Sequence, residues 1–503
     1  MNKKTLLTTA LLLTVLLYTG VNKAFAGNVD LKKARQVAAY YMGVQTGQKS
    51  MTADDMVLVY TIDNTVANIP ALYFFNSNNG GYVIVSGSDC MEPIIGYSTE
   101  GTLDANRPLP PAMQWFLNDY TRFIVDAQNS KAVASAPIKA TWDEVLNQTI
   151  AEPKDGEKTV YKTMKSIWDQ SEPYNNMCPS VGGERCPTGC VATMMAQVLH
   201  YWRYPYVGKG QVSYDWNGQT LSANFAEAFY NYDIMVDTVP YNNYGVCTLN
   251  QDAQDAIALL NYHCGIAVRM SYAVEGSGAV TSQYLSRAMR TYFKYPSTGL
   301  KYLERDKDFR NYTGTPNAMD TLWRDTVAND IIKGRPVCYD GTDIASTGTH
   351  AGHAFVAERY NSSNGRIWFN WGWSGYGNGW FNVITAQMGA MGYTFTSYHG
   401  ALVGLEPPAD TLAAREVSIR DVEQSPVELS AIYPNPASEY VIIPFELRET
   451  NSAMLQIFSI DGRMIEERTV MAGQNQIELN VRNYAKGMYV ARLNGVARKF
   501  MVN

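Results

Sequence analysis

Charge is scarce in this chain. Asp, Glu, Lys and Arg together make up 17% of its 503 residues, with a formal net charge of −6. No long basic run occurs, so a nucleic-acid surface is not expected. Histidine is rarer still, with five in all, which makes any imidazole chemistry easy to search. Beyond the N-terminus no stretch approaches the ~20 uninterrupted apolar residues needed to span a bilayer, so the mature protein is expected to be soluble. No internal repeat at a solenoid period is present. Cysteines number seven. In an exported protein an odd count leaves at least one thiol without a disulfide partner. Whether Cys178 and Cys186 pair is left open by the sequence.

What is present points to export and to several domains. Apolar residues make up 46% of the chain, enough for real cores, and its length calls for more than one. Lys3 and Lys4, the apolar run Leu6–Leu17 and the small-x-small site Ala24-Phe25-Ala26 read as a cleaved secretory signal over 1–26. Residues 27–136 read as a small α+β unit. A helix is expected over Leu31–Met42 and strands over Met56–Thr61, Ala71–Phe75 and Gly81–Ser86, with a second helix near Pro111–Asn129. The small-residue stretch Ser130–Pro137 reads as an exposed linker, a natural proteolysis site. Residues 137–407 form the largest unit, followed by a polar linker over 408–429. Residues 430–503 show short alternating strands at Tyr440–Phe445, Met454–Ser459, Gln476–Val481 and Met488–Leu493, the pattern of a small β-sandwich.

The central unit holds the chemistry. Cys190 opens a helix whose apolar residues Val191, Met194, Met195, Val198, Leu199 and Trp202 fall on one face, with Thr188 and Gly189 as cap residues. A thiol in the first turn feels the positive end of the helix dipole, which favours the nucleophilic thiolate. Such a nucleophile needs an imidazole partner, a group to orient it and an oxyanion donor. Among the histidines, His353 lies in the glycine-bounded apolar strand Ala351–Ala357. The turn Asn361–Gly365 and the strand Arg366–Asn370 then bring Asn370 back toward it. Asn370 could orient the imidazole, with Trp371 and Trp373 screening that bond. A buried free cysteine and a core histidine remain the plainer reading of each residue taken alone. A zinc site from Cys186, Cys190, His350 and His353 fits structural-zinc spacing poorly. The Gly-rich stretch Asp340–Ala351 reads as a loop leading into His353.

These motifs occur in one order: Trp168-Asp169-Gln170-Ser171, Thr188-Gly189-Cys190-Val191-Ala192-Thr193, Gly334-Arg335-Pro336-Val337, Gly352-His353-Ala354-Phe355-Val356 and Asn370-Trp371-Gly372-Trp373. Together they resemble the streptopain-like family of cysteine peptidases. The resemblance implies a papain-like fold in an α+β protein and no cofactor. It implies Cys190 as nucleophile, His353 as its ion-pair partner, Gln170 as oxyanion donor and Asn370 as histidine orienter, with Trp371 covering the Asn–His contact. Tyr73–Gly87 and Ile94–Ser98 resemble the family's propeptide, which implies that the N-terminal unit inhibits the active site until it is removed. Tyr433-Pro434-Asn435-Pro436-Ala437, Ser459-Ile460-Asp461-Gly462, Gly487-Met488-Tyr489-Val490 and the basic end from Arg498 resemble a type IX secretion sorting domain. Implied partners are protein substrates, the chain's own prodomain and the type IX machinery. Acyl transfer to an amine on the same Cys–His chemistry, and a catalytically dead adhesin, are the rival readings. Deleting residues 430–503 is expected to hold the protein in the periplasm; cell fractionation that finds unchanged surface delivery would refute the sorting role.

Overall fold

The computed structural model describes residues 27–150, 160–309, 316–343, 352–383, 397–409, 411, 427–447, 451–459, 464–493 and 496–503. The signal segment 1–26, His350 and most of the loop expected before His353 lie outside the described residues. The chain forms two compact units. The first is built from residues 1–109, 113–157 and 379–395, the second from residues 110–112, 158–378 and 396–503.

In the first unit, helix α1 (Leu31–Thr46) starts where the Asp30 side chain accepts from the Lys33 amide, and it ends at Gly47 in the left-handed conformation. Its buried face, with Val37, Ala38 and Met42, covers an antiparallel sheet of β1 (Met56–Asn64), β2 (Ile69–Ser77), β3 (Tyr82–Ser86) and β4 (Ile94–Ser98). β3 and β4 are buried throughout, which hides the period-two signal and explains why β4 is not apparent from sequence pattern. Helix α2 (Pro111–Ser130) agrees with expectation. The linker expected at 130–137 is shorter in the structure, because helix α3 (Ala136–Leu146) begins within it. Ile138, Trp142 and Val145, at i, i+4 and i+7, are buried, and the Trp142 indole donates to the Met91 carbonyl at 2.7 Å. The first unit therefore runs past residue 136, through α3.

The second unit is organised around helix α4 (Cys190–Trp202). Every residue of α4 except Cys190 and Tyr201 is buried, so it is a central helix rather than the one-faced helix its periodicity suggests. Its core partners include Leu260 and Cys264 of α5 (Gln251–Ala267) and Leu285 and Met289 of α6 (Thr281–Thr291). On another side lie Ala354 and Val356 of a sheet. Numbering the strands on from the first unit, with β5 at Val160–Lys162, the hairpins β6 (Ser180–Val181)–β7 (Glu184–Arg185) and β8 (Gln211–Trp216)–β9 (Gln219–Asn224) lead to this sheet. It contains β10 (Lys301–Glu304), β11 (Val337–Asp343), β12 (Gly352–Asn361), β13 (Arg366–Asn370) and a later strand, all antiparallel. Helix α7 (Pro316–Ile332) precedes β11. β14 (Gly379–Phe381) belongs to the first unit and pairs there with β4, where Gly96 makes room for the Phe381 ring; a Cβ there would stand 2.5 Å from it. β15 (Ser397–Val403) lies between β11 and β10. Asp340–Asp343, expected to open a loop, are strand residues of β11.

At the C-terminus, β16 (Val427–Leu429), β17 (Tyr440–Leu447) and β20 (Gln476–Asn480) form one sheet. β18 (Ser452–Ser459), β19 (Met464–Met471), β21 (Gly487–Leu493) and β22 (Val496–Val502) form the other. Val441, Ile443, Leu455, Ile457, Leu479 and Phe500 close a core between them, the expected sandwich. Among the described residues no helix is long and apolar enough to cross a membrane.

Candidate active site

Gly189 fixes the approach to Cys190. Its φ is +86°, and a Cβ there would lie 2.8 Å from the Met270 side chain and from the Ser277 carbonyl, so only glycine fits. Gly189 caps the helix through its backbone, its carbonyl accepting from the Thr193 amide at 3.1 Å. The expected Thr188 cap takes another form: its buried hydroxyl meets the Thr193 hydroxyl at 2.7 Å. The Thr188 amide donates to the Gln170 carbonyl at 3.0 Å, which ties the Gln170 segment to the turn that presents the thiol. Gln170 is itself partly exposed.

Cys190 is partly exposed, and burial pushes its thiol above the ordinary value. Against that push act three backbone amides, of Ala354 first, then Val191 and Cys190 itself. The last two belong to the helix N-terminus, where N–H groups have no intrahelical acceptor. The first belongs to β12, so the strand carrying His353 passes beside the sulfur. His353 is the second residue of β12, partly exposed and paired in register with Gly341. All seven cysteines are unpaired.

Asn370 is placed by register. It stands opposite Val356, and both turn toward α4. Its Nδ2 donates to the Ser166 carbonyl at 2.7 Å and to Gln197 Oε1 at 3.2 Å, its Oδ1 accepts from the Gly372 amide at 3.2 Å, and its side chain also bonds Glu358. Side chains alternate along a strand, so His353 shares the face of Phe355 rather than that of Val356. Trp371 is on that face, with its ring 4.7 Å from Phe355, and its indole donates to the Gly377 carbonyl at 2.7 Å. The structure thus gives His353's side of the sheet to Trp371, while the Asn370 amide is committed on the other side. Trp373, partly exposed, lies in the turn that follows.

Three other histidines have structural partners. His200 stacks on Trp168 at 5.0 Å and bonds Asp237 at 3.2 Å. His263 bonds Tyr230 at 2.9 Å, and burial lowers its pKa to about 4. His399 bonds Tyr339 at 2.7 Å.

A thiol at a helix N-terminus, beside a histidine-bearing strand and tied to a glutamine segment, can be set beside known proteins. Residues 168–381 match the profile of the peptidase C10 family. Over that stretch the chain is similar to the C10 peptidases. Residues 26–124 match the Spi protease inhibitor family, and residues 431–502 match the secretion system C-terminal sorting domain, which marks the chain for export of the Bacteroidota type. The thiol protease/hemagglutinin PrtT of Porphyromonas gingivalis is 28% identical over 402 residues, 76% of this chain. The match covers 42% of PrtT, so the chain spans less than half of that relative's length. Streptopain of Streptococcus pyogenes is 29% identical over 366 residues, 67% of this chain and 81% of streptopain. A prointerpain A fragment of Prevotella intermedia has a similar structure, with a TM-score of 0.53 and 28% identity over 70% of this chain and 98% of the fragment.

Two buried polar residues near Cys190 and Gln170 escape a reading by motif. Gln197 is a buried polar residue on an apolar helix, seven positions after Cys190; its polarity on that stripe is a usable signal. Asp340 pairs in register with Ala354, and its buried carboxyl accepts from Thr281 at 2.6 Å and Tyr302 at 2.9 Å. Burial pushes its pKa up to about 6, against those two hydrogen bonds. Above that pH its negative charge adds to the upward push on the Cys190 thiol. Replacing Asp340 by Asn removes that charge and should move the midpoint of the pH–rate profile for Cys190 alkylation by iodoacetamide to lower pH. An unchanged or higher midpoint would show that the carboxylate does not act on the thiol.

Proposed function

We propose that this chain is the zymogen of a secreted cysteine endopeptidase. The observation that carries the reading is the Cys190 thiol at a helix N-terminus, met by the Ala354 amide of the strand that bears His353. In the mature enzyme Cys190 is the nucleophile and His353 its imidazolium partner. Pairing of this papain type can bring a thiol pKa down to about 3–4, against the upward push of burial. The thiolate attacks the peptide carbonyl. The Gln170 amide and the Cys190 N–H hold the tetrahedral oxyanion, where one donor is worth about 3 kcal/mol. His353 then protonates the leaving amine, and water hydrolyses the thioester acyl-enzyme. Trp371, on the face of His353, is the wall against which the imidazole is held, and Asn370 acts from the opposite face through the Gln170 segment. The chemistry calls for no cofactor.

The inhibitor-like unit from residue 27 onward blocks the site until it is cut away, and the cut falls between Ser130 and Tyr161. The C-terminal domain directs the enzyme through the type IX machinery, to be anchored at the surface or released. Acyl transfer to an amine uses the same residues and is distinguished by its products. Replacing Cys190 by Ala should abolish protein hydrolysis and self-processing while the full chain still folds, checked by peptide assay, gel mobility and circular dichroism. Self-cleavage by the pure variant would overturn the assignment.

A further inference from the structure

Gln197 is 1% exposed and lies two helical turns beyond Cys190, among Met194, Met195, Val198 and Leu199. An amide buried in such a stripe costs free energy unless its polar atoms are bonded. Its Oε1 accepts twice, from the Trp168 backbone amide at 3.1 Å and from Asn370 Nδ2 at 3.2 Å. Asn370 Nδ2 also holds the Ser166 carbonyl at 2.7 Å. The nucleophile helix and the end of β13 thus grip residues 166–168 together. Two residues on is Gln170. Between them, Asp169 Oδ1 accepts from the amides of Gln170 at 2.7 Å and Ser171 at 3.2 Å, and closes the turn. Ser374, in the turn after Trp371, seals the outer side: its amide donates to the Trp168 carbonyl at 3.1 Å and its hydroxyl to Asp169 Oδ2 at 2.7 Å. Trp168 therefore has both backbone groups bonded within this clamp.

We infer that Gln197 is a positioning residue for the oxyanion donor Gln170, the buried half of a clamp whose exposed half is the Asp169–Ser374 pair. The inference rests on the reading of Gln170 as oxyanion donor given above. Its physical content is that an oxyanion donor works only at a fixed place. Donors must lie within hydrogen-bond distance of where the oxyanion forms, and a shift of about 1 Å can cost on the order of a hundredfold in rate. Gln197 sets that place relative to Cys190 because both belong to one rigid helix. Asn370 enters the same arrangement through Gln197 and Ser166.

The test uses the full chain, matured by added wild-type enzyme that is then removed. Gln197→Met keeps the side-chain length and deletes the acceptor. It should lower kcat about tenfold or more, with KM within about twofold of wild type and Cys190 alkylation by iodoacetamide at the wild-type rate. Gln197→Glu keeps an acceptor oxygen and should recover most of kcat. In a Gln170→Ala background, Gln197→Met should cause no further loss, since the donor it positions is gone. Wild-type kcat in Gln197→Met, an equal loss in Gln197→Glu, or a full additional loss in the Gln170→Ala background would each overturn the inference. Gln170→Ala with unchanged kcat would defeat the oxyanion reading itself, and the inference with it. A loss in Gln170→Ala with none in Gln197→Met would defeat the inference alone. Should Gln197→Met not fold, Ser374→Ala carries the test: a kcat loss that vanishes in the Gln170→Ala background supports the clamp, and wild-type kcat overturns it.

Discussion

Desolvation of the thiol that opens α4 sets the terms for the second unit of this chain. Desolvation disfavours the thiolate of Cys190, and the fold answers with dipoles. Two amides come from the start of α4 and one from β12, so the helix and the sheet must meet at that point. That requirement explains the glycine at 189, whose positive φ and lack of a side chain let the loop turn tightly into the helix. It explains why α4 is enclosed on nearly all sides, since a helix fixed by packing holds its first residue fixed as well. It also explains why the segment before Cys190 is tied to Gln170 by a backbone hydrogen bond.

The same geometry leaves chemistry still to be completed. Amides and the helix terminus oppose burial without overcoming it, and the Asp340 carboxylate adds to the upward push. Burial thus outweighs the amides and leaves the thiol pKa raised, and a nearby imidazolium would be the opposing charge. The chain's other parts are consistent with that division of labour. Residues 26–124 match an inhibitor family, and residues 431–502 match a sorting domain with its own hydrophobic core. Peptidase-like, inhibitor-like and sorting-domain-like stretches thus follow one another in one polypeptide.

Much of this was legible in the residues, and the exceptions have physical causes. The helix from Cys190 to Trp202, the hairpin through Asn361–Gly365 and most strands of the C-terminal sandwich follow from periodicity and turn residues. β19 was hidden by polar content, as in Glu466, Glu467 and Arg468, and by surface exposure, and β22 by the adjacent charges of Arg498 and Lys499. The start of α3 was masked by Ala and Ser, although Ile138, Trp142 and Val145 carry its helical spacing. The position of Asn370 beside the His353 strand was readable, but the face it turns to was not. That depends on register, and a slip of one residue exchanges the faces. Asp340 and Gln197 were missed because their partners, Thr281 and Tyr302 for one and Trp168 and Asn370 for the other, come from distant segments.

The account stands or falls on which of seven unpaired thiols is the nucleophile. The most direct measurement treats the mature enzyme with an epoxide thiol inhibitor and maps the adduct by peptide mass spectrometry. The account predicts one adduct, on Cys190, formed in step with loss of peptidase activity. Inactivation with the adduct on any other cysteine, or full labelling of Cys190 with activity retained, would contradict it.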